Sequence, residues 1–184
     1  MTTTASLAAG GGVARYGAIA RLLHWLIVAL VIAQFAIAWT MPDIPRGRPP
    51  EGLVTLHLSV GATILIVMLI RLAWRLLHGA PASIVAPPWQ RTAACTVHTL
   101  LYVLLIGSPL AGWAWASSKS WPVTLFGLAT LPPLVPADWP YRWVASTIHA
   151  NVAWAILGLV GLHALAALWH HVVQRDDVLR RMLP

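Results

Sequence analysis

The chain carries very little charge, and this scarcity limits what kind of protein it can be. Only 9% of its 184 residues are charged, whereas 59% are hydrophobic, and the mean hydropathy is +0.74. Soluble domains carry about 25% charged residues. The composition therefore excludes an ordinary soluble domain and indicates a protein surrounded by membrane lipid.

Cysteine is almost absent as well. The single cysteine, Cys95, cannot form an internal disulfide. The chain has no Cys-x-x-Cys-His motif, which excludes covalent attachment of a c-type haem. The formal charge of +7 comes from basic residues that cluster at the ends of apolar segments and form no long run. We interpret them as determinants of membrane topology and expect no nucleic-acid partner.

Four apolar stretches are present, and each is long enough to cross a bilayer, which takes about 20 residues. Proline-rich links separate them, and Pro109 predicts a kink inside the third. Their approximate bounds are 19–41, 53–77, 93–116 and 146–173. With no repeat of fixed period and no sign of a second domain, residues 1–184 are predicted to form a single transmembrane domain. The expected fold is all-α, an integral membrane four-helix bundle.

The basic residues near the span ends predict the orientation, because cytoplasmic loops carry an excess of Lys and Arg. Eight arginines lie on the side shared by both termini and the middle loop: Arg15, Arg21, Arg71, Arg75, Arg91, Arg175, Arg180 and Arg181. Four basic residues lie on the other side: Arg46, Arg48, Lys119 and Arg142. Both termini are therefore expected to be cytoplasmic.

Four histidines lie inside the apolar stretches, where an ionisable side chain is costly and usually functional. The first stretch holds His24, the second holds His57, and the fourth holds His149 and His163. The predicted topology puts His24 and His163 near the cytoplasmic end and the other two near the outer end. His149 and His163 are fourteen residues apart, which is about 21 Å along a helix with about 40° between their directions. Both therefore face the same side of their helix.

These matched depths predict two pairs of metal ligands on facing helices. An iron held by two neutral imidazoles has no open position, so a bis-histidine haem suits one-electron transfer better than oxygen chemistry. We predict two non-covalent haem groups, the outer one between His57 and His149 and the inner one between His24 and His163. Buried core histidines are the alternative interpretation, and it accounts less well for four of them at two matched depths.

Neighbouring residues are consistent with this arrangement but have simpler interpretations too. Gly61 lies one turn after His57, and Gly158 and Gly161 precede His163. These small residues either make room for a porphyrin or let helices pack closely. Arg71 and Arg75, at the cytoplasmic end of the second stretch, either anchor the topology or bind the propionates of the inner haem.

His98 enters the third stretch from the cytoplasmic side, near the expected depth of His24 and His163. Three roles stay open for it: it replaces His24 as a ligand, hydrogen-bonds a haem propionate or lines a quinone pocket. The other histidines are expected at the cytoplasmic interface without a ligand role: His78, His170 and His171.

Several short motifs occur in an order and spacing that cover nearly the whole chain. They are Arg21-Leu22-Leu23-His24-Trp25, Leu56-His57-Leu58-Ser59-Val60-Gly61, Arg71-Leu72-Ala73-Trp74-Arg75, Gly161-Leu162-His163-Ala164 and the tail from Asp176 to Pro184. No single motif is specific, but together they resemble the prokaryotic cytochrome b-561 family. The resemblance implies a bacterial inner-membrane protein with two haem b groups, with axial ligands at the four histidines paired above.

The resemblance also implies that the protein exchanges electrons with membrane quinone or quinol. Some relatives oxidise superoxide at the periplasmic face, and others are haem subunits of larger oxidoreductases. We therefore predict electron transfer between a periplasmic donor and quinone. Superoxide is the most concrete donor, attracted by the outer basic residues.

Two alternatives stay open. One is a haem-bearing membrane anchor for a redox partner protein. The other is a non-haem metal-binding or transport protein that uses the same histidines. The lack of intramembrane carboxylates argues against transport.

Overall fold

The computed structural model describes residues 15–45, 47–79 and 87–183. Within these ranges four long helices follow one another: α1 (Ala18–Thr40), α2 (Leu53–His78), α3 (Pro88–Ser118) and α4 (Arg142–Trp169). All four are long and apolar enough to cross a membrane. The predicted all-α membrane bundle is therefore confirmed. A π-helical turn, His170–Gln174, continues α4.

Glycine and proline mark most of the helix ends. Gly52 and Gly79 flank α2 with φ angles of 56° and 69°, in the left-handed region that glycine adopts without a steric penalty. Met41 ends α1 in an extended conformation because the proline that follows disfavours helical geometry. Pro88 occupies the first turn of α3, where its missing N–H costs nothing. Consequently α3 starts about five residues before its apolar stretch.

The helices pack in chain order, with α1 against α2, α2 against α3 and α3 against α4. The main core is centred on α2, whose buried residues include Val60, Ile64 and Met68. Within the described ranges, no Cα atom of α4 comes within 8 Å of a Cα atom of α1 or α2. A gap therefore separates α4 from the first two helices.

The link between α3 and α4 adds a feature that the sequence did not predict. It contains an antiparallel hairpin of two short strands, β1 (Val123–Leu125) and β2 (Ala129–Leu131). Positive φ angles at Phe126 and Gly127 let the chain reverse between the strands. The end of the bundle that carries this link is called the hairpin end below.

The C-terminal tail folds back onto the start of α1. The Tyr16 amide donates to the carbonyl of Arg181 at 3.2 Å, and Trp25 Nε1 donates to the carbonyl of Met182 at 2.9 Å. Arg21 Nη1 donates to the carbonyl of Leu183 at 2.7 Å. This terminal end lies opposite the hairpin end, as four spans require, and its cytoplasmic placement stays a prediction.

Candidate cofactor sites

A pair of histidines faces across the gap near the hairpin end. His57 lies near the start of α2 and His149 near the start of α4. Their ring centroids are 6.0 Å apart, and the ring planes are at 89° to each other. The structure therefore brings together the two histidines that the sequence places at the outer depth.

A cluster of three histidines lies nearer the terminal end. The ring centroids of His24 and His163 are 6.3 Å apart with the planes at 77°. His98, on α3, is closer to His163, with a centroid separation of 5.2 Å. The second predicted pair is thus also brought together, and His98 lies beside it.

His149 is held in place by α3. Its Nδ1 donates to the backbone carbonyl of Ser108 at 2.9 Å and lies 3.2 Å from Ser108 Oγ. A histidine nitrogen that donates to a backbone carbonyl fixes the tautomer and leaves the other nitrogen as an electron-pair donor. Nε2 of His149 is therefore the nitrogen available to coordinate a metal.

Gly112 lies directly against the same ring. A Cβ atom built on Gly112 would lie 3.0 Å from both Cε1 and Nδ1 of His149, so any larger residue would press on the imidazole. Neither Gly112 nor Ser108 is predicted from the sequence as part of a site. A glycine and a serine–proline step inside an apolar stretch were the only available signals.

Gln34, on α1, lies against His57. Its Nε2 is 3.2 Å from His57 Nε2 and donates to the backbone carbonyl of His57 at 3.1 Å. Gly61 makes room for this amide, because an added Cβ would lie 3.2 Å from Gln34 Nε2. Within the described ranges, His57 Nδ1 and Gln34 Oε1 are buried without a hydrogen-bond partner. Buried polar atoms of this kind call for an explanation.

A cavity of about 360 Å³ opens between the helices at the hairpin end. His57, His149, Gly61 and Gly112 are part of its wall, which is otherwise mostly apolar. Cofactor pockets commonly have volumes of about 300–1,000 Å³ and apolar linings of this kind. The residues at this level therefore fit a flat apolar cofactor held by two imidazoles.

Lys119 also lines this cavity. It follows the last residue of α3, and its Nζ lies 4.1 Å from the ring centroid of Trp115 and 4.3 Å from that of Trp121. Burial lowers the pKa of this ammonium group below its usual value. The cavity thus has a cation beside its wall.

Within the described ranges, the other basic residues at the hairpin end do not line this cavity. Arg142 forms a 2.9 Å ion pair with Asp138. The carbonyl of Arg48 accepts a hydrogen bond from Trp121 Nε1 at 3.1 Å. Arg46 lies outside the described residues. Lys119 is therefore the basic residue that the structure places at the cavity.

At the terminal end, Arg71 and Arg75 lie on the last turns of α2. Arg71 Nη1 donates to the carbonyl of Ala20 at 3.0 Å, so this arginine ties α2 to α1. Both arginines line a small cavity of about 30 Å³ together with Tyr16 and Tyr102. Their position at the end that holds His24 is compatible both with anchoring the membrane topology and with binding haem propionates.

Two of the remaining histidines have local partners, whereas two of the remaining glycines have no close neighbour among the described residues. A Cβ added at Gly158 or Gly161 would meet no atom within 4 Å, so these glycines do not serve close helix packing among the described residues. His78 stacks on Trp74 at a centroid distance of 3.8 Å, and His170 pairs with Asp176 at 2.5 Å.

The described part of the chain shows no cluster of side chains suited to a non-haem metal ion. There, no group of three or more His, Cys, Asp or Glu side chains is placed to hold a metal ion. Zinc sites usually take three or four protein ligands. The non-haem metal alternative therefore has no candidate cluster in those ranges.

A membrane four-helix bundle with opposed histidine pairs between its helices has the architecture of a b-type haem protein. The family model for prokaryotic cytochrome b561 matches residues 15–184, and the chain belongs to this family. It is therefore a multi-pass protein of the bacterial inner membrane that binds haem b and takes part in membrane electron transfer.

Three curated relatives match most of the chain. Cytochrome b561 homolog 2 of Escherichia coli is 30% identical over 92% of this chain and 91% of its own length. Cytochrome b561 homolog 1 of the same organism is 32% identical over 88% and 93%. The probable superoxide oxidase CybB of Yersinia pestis is 33% identical over 88% and 92%. The similarity thus extends over most of the length of each protein.

Proposed function

We propose that the chain binds two haem b groups, one between His57 and His149 and one between His24 and His163. The observation that carries this proposal is the spacing of the rings, 6.0 Å and 6.3 Å between centroids. With metal–imidazole bonds of about 2.0 Å, an iron held between two such histidines would separate their ring centroids by about 6 Å. Both pairs have this spacing.

The distance between ring centroids also argues against His98 as a ligand. Its ring centroid is 5.2 Å from that of His163, about 1 Å less than an iron between two imidazoles requires. His24 is at the required distance from His163. We therefore assign the second pair to His24 and His163 and leave His98 as a neighbour in contact with the site.

The protein's own residues prepare the two sites. Ser108 accepts the Nδ1 proton of His149, which directs Nε2 towards the metal, and Gly112 leaves space for the ring. Arg71 and Arg75 supply positive charge at the terminal end for the haem carboxylates. Haem b bound at these sites accepts and releases one electron at a time.

Superoxide is the donor that we propose, and quinone is the acceptor. Two superoxide ions each lose one electron and leave as O₂, while one quinone takes both electrons and two protons to become quinol. The relative named as a probable superoxide oxidase supports this choice. Lys119 beside the hairpin-end cavity provides a cation that attracts the anion. The excess of basic residues around the termini supports a periplasmic position for the hairpin end.

Single replacements of the histidines test the assignment. Pyridine haemochrome analysis of the purified protein should give two haems per chain, and each of four alanine variants should retain one. His57→Ala and His149→Ala should lose the same spectral component, and His24→Ala and His163→Ala should lose the other.

His98→Ala is the matched control and should keep both haems. Loss of one component from both His57→Ala and His163→Ala would contradict the pairing. Loss of a haem from His98→Ala, but not from His24→Ala, would replace His24 in the assignment. If both haems are present but superoxide reduces neither, the anchor-subunit alternative is favoured.

A further inference from the structure

The hairpin lies beside α2, not above its end. Ser59 is only 2% exposed. Its hydroxyl donates to the carbonyl of Thr124 at 2.6 Å and accepts from the amide of Phe126 at 3.4 Å. Val123 packs in a buried cluster with Ala62. The first strand and the turn are therefore fastened to the flank of α2.

Residue counting along α2 gives the depth of these contacts. Ser59 and Ala62 are six and nine residues after Leu53, the first residue of the helix, or about 9 Å and 14 Å along its axis. The 26 residues of α2 span about 39 Å, whereas the hydrocarbon layer is about 30 Å thick. A centred helix projects about 4 to 5 Å at each end. Ser59 and the hairpin turn then lie about 4 Å inside the hydrocarbon boundary.

The hairpin has the composition that such a position requires. Between Lys119 and Asp138 the sequence contains no charged residue. The turn exposes two large apolar side chains, Phe126 at 55% and Leu128 at 91%. Contact of these side chains with water would be unfavourable, whereas contact with acyl chains would not.

The backbone of the hairpin is also partly protected from lipid. The strands pair Val123 with Leu131 and Leu125 with Ala129. The Ser59 hydroxyl forms hydrogen bonds with the carbonyl of Thr124 and the amide of Phe126. Non-helical backbone at membrane depth is tolerated only where its polar groups find partners in the protein. Ser59 thus provides partners inside the helix for groups that lipid could not satisfy.

We propose that this hairpin is a re-entrant element whose turn, 126–128, inserts into the lipid of the leaflet at the hairpin end. Trp121 and Val123, at the start of the hairpin, line the cavity that contains His57 and His149. The inserted hairpin therefore closes the flank of this cavity. The proposal depends on membrane embedding and not on the haem assignment.

Spin labelling of the full-length, haem-loaded protein in bilayers of phosphatidylethanolamine and phosphatidylglycerol tests the insertion. The exposed Cys95 is first replaced by serine, and Leu128→Cys then carries a nitroxide. Power saturation compares collisions with oxygen, which concentrates in lipid, and with a water-soluble nickel chelate. Asp138→Cys provides the water reference. Leu165→Cys provides the lipid reference, because Leu165 is 67% exposed and points about 200° away from His163 on α4.

The label at position 128 should match the label at 165, with an oxygen-to-nickel ratio several-fold above that at 138. Adding Ser59→Ala should increase the mobility of the label at 128, because the hairpin backbone loses its two hydrogen bonds to the Ser59 hydroxyl. A ratio equal to that at 138 overturns the proposal. Low access to both reagents, as at a contact with a second protein, overturns it equally.

Discussion

An alanine at position 112 would test whether α3 positions the His149 ligand. The added Cβ would lie 3.0 Å from Cε1 and Nδ1 of His149 and 3.5 Å from Nε2. Carbon atoms in contact prefer about 3.5–4.0 Å, so the ring has to retreat by about 0.5 Å or more. It is not free to do so, because Nδ1 donates to the Ser108 carbonyl at 2.9 Å.

The energetic consequence is expected in haem binding more than in folding. Replacing glycine by alanine inside a helix favours folding by about 1 kcal/mol, and overpacking costs about 1–3 kcal/mol, so the two effects partly cancel. Metal–ligand distances tolerate deviations of only about 0.2 Å. Disturbing the residues that orient a ligand typically weakens metal binding about 10–100-fold. We expect a loss of this size for the His57–His149 haem alone.

The assay is a haem titration of Gly112→Ala, with the haem content per chain and the low-temperature EPR spectrum as readouts. Gly107→Ala is the matched control, because it lies on the same helix and its Cβ would meet no atom within 4 Å. The control should bind haem with the same affinity and stoichiometry as the unaltered protein. Unchanged haem affinity and EPR signals in Gly112→Ala would show that contact with α3 does not determine the position of the His149 ring. An equal loss in the control would make the effect a general response of α3.

Two further changes concern the ends of the bundle. Lys119→Gln should slow superoxide-driven haem reduction and remove most of its salt dependence, and Arg142→Gln should have less effect because Arg142 already pairs with Asp138. Burial lowers the pKa of Lys119. The rate of superoxide-driven haem reduction in the unaltered protein should therefore fall at a pH below ~10.4, where an ordinary lysine loses its charge. The Lys119→Gln variant should not show this fall. Stopped-flow spectroscopy measures both rates. Trp25→Phe removes the hydrogen bond to Met182 and should lower the free energy of unfolding by about 1 kcal/mol, measured by chemical denaturation, with both haems retained.

The matched depths of the histidines were predictable because they depend on local geometry alone. Helical rise determines the separation of His149 and His163 along α4, and the direction of each span determines which histidine shares that depth. Neither step requires knowledge of how the helices pack. That the rings of His57 and His149 lie 6.0 Å apart depends in addition on how the helices pack.

The supporting residues were not predictable in the same way. Gln34 reaches His57 across the α1–α2 interface, and Ser59 reaches Thr124 across 65 residues of sequence. Both appear in the sequence only as single polar residues in apolar surroundings. Which group each one meets depends on the rotation of one helix against another, and no periodicity records this rotation. The hairpin strands are three residues each, too short for an alternating pattern to be recognised.

The packing order explains why the support for His149 comes from α3. Within the described ranges α4 packs closely against α3, whereas no Cα atom of α4 lies within 8 Å of a Cα atom of α1 or α2. The position of His149 relative to His57 therefore depends mainly on two interfaces in series. α3 belongs to both, and it supplies the carbonyl of Ser108 and the space at Gly112. A change on α3 can therefore alter the distance between the two ligands without touching either one. Changes to the parts of α1 that do not contact His57 should leave this distance unaltered.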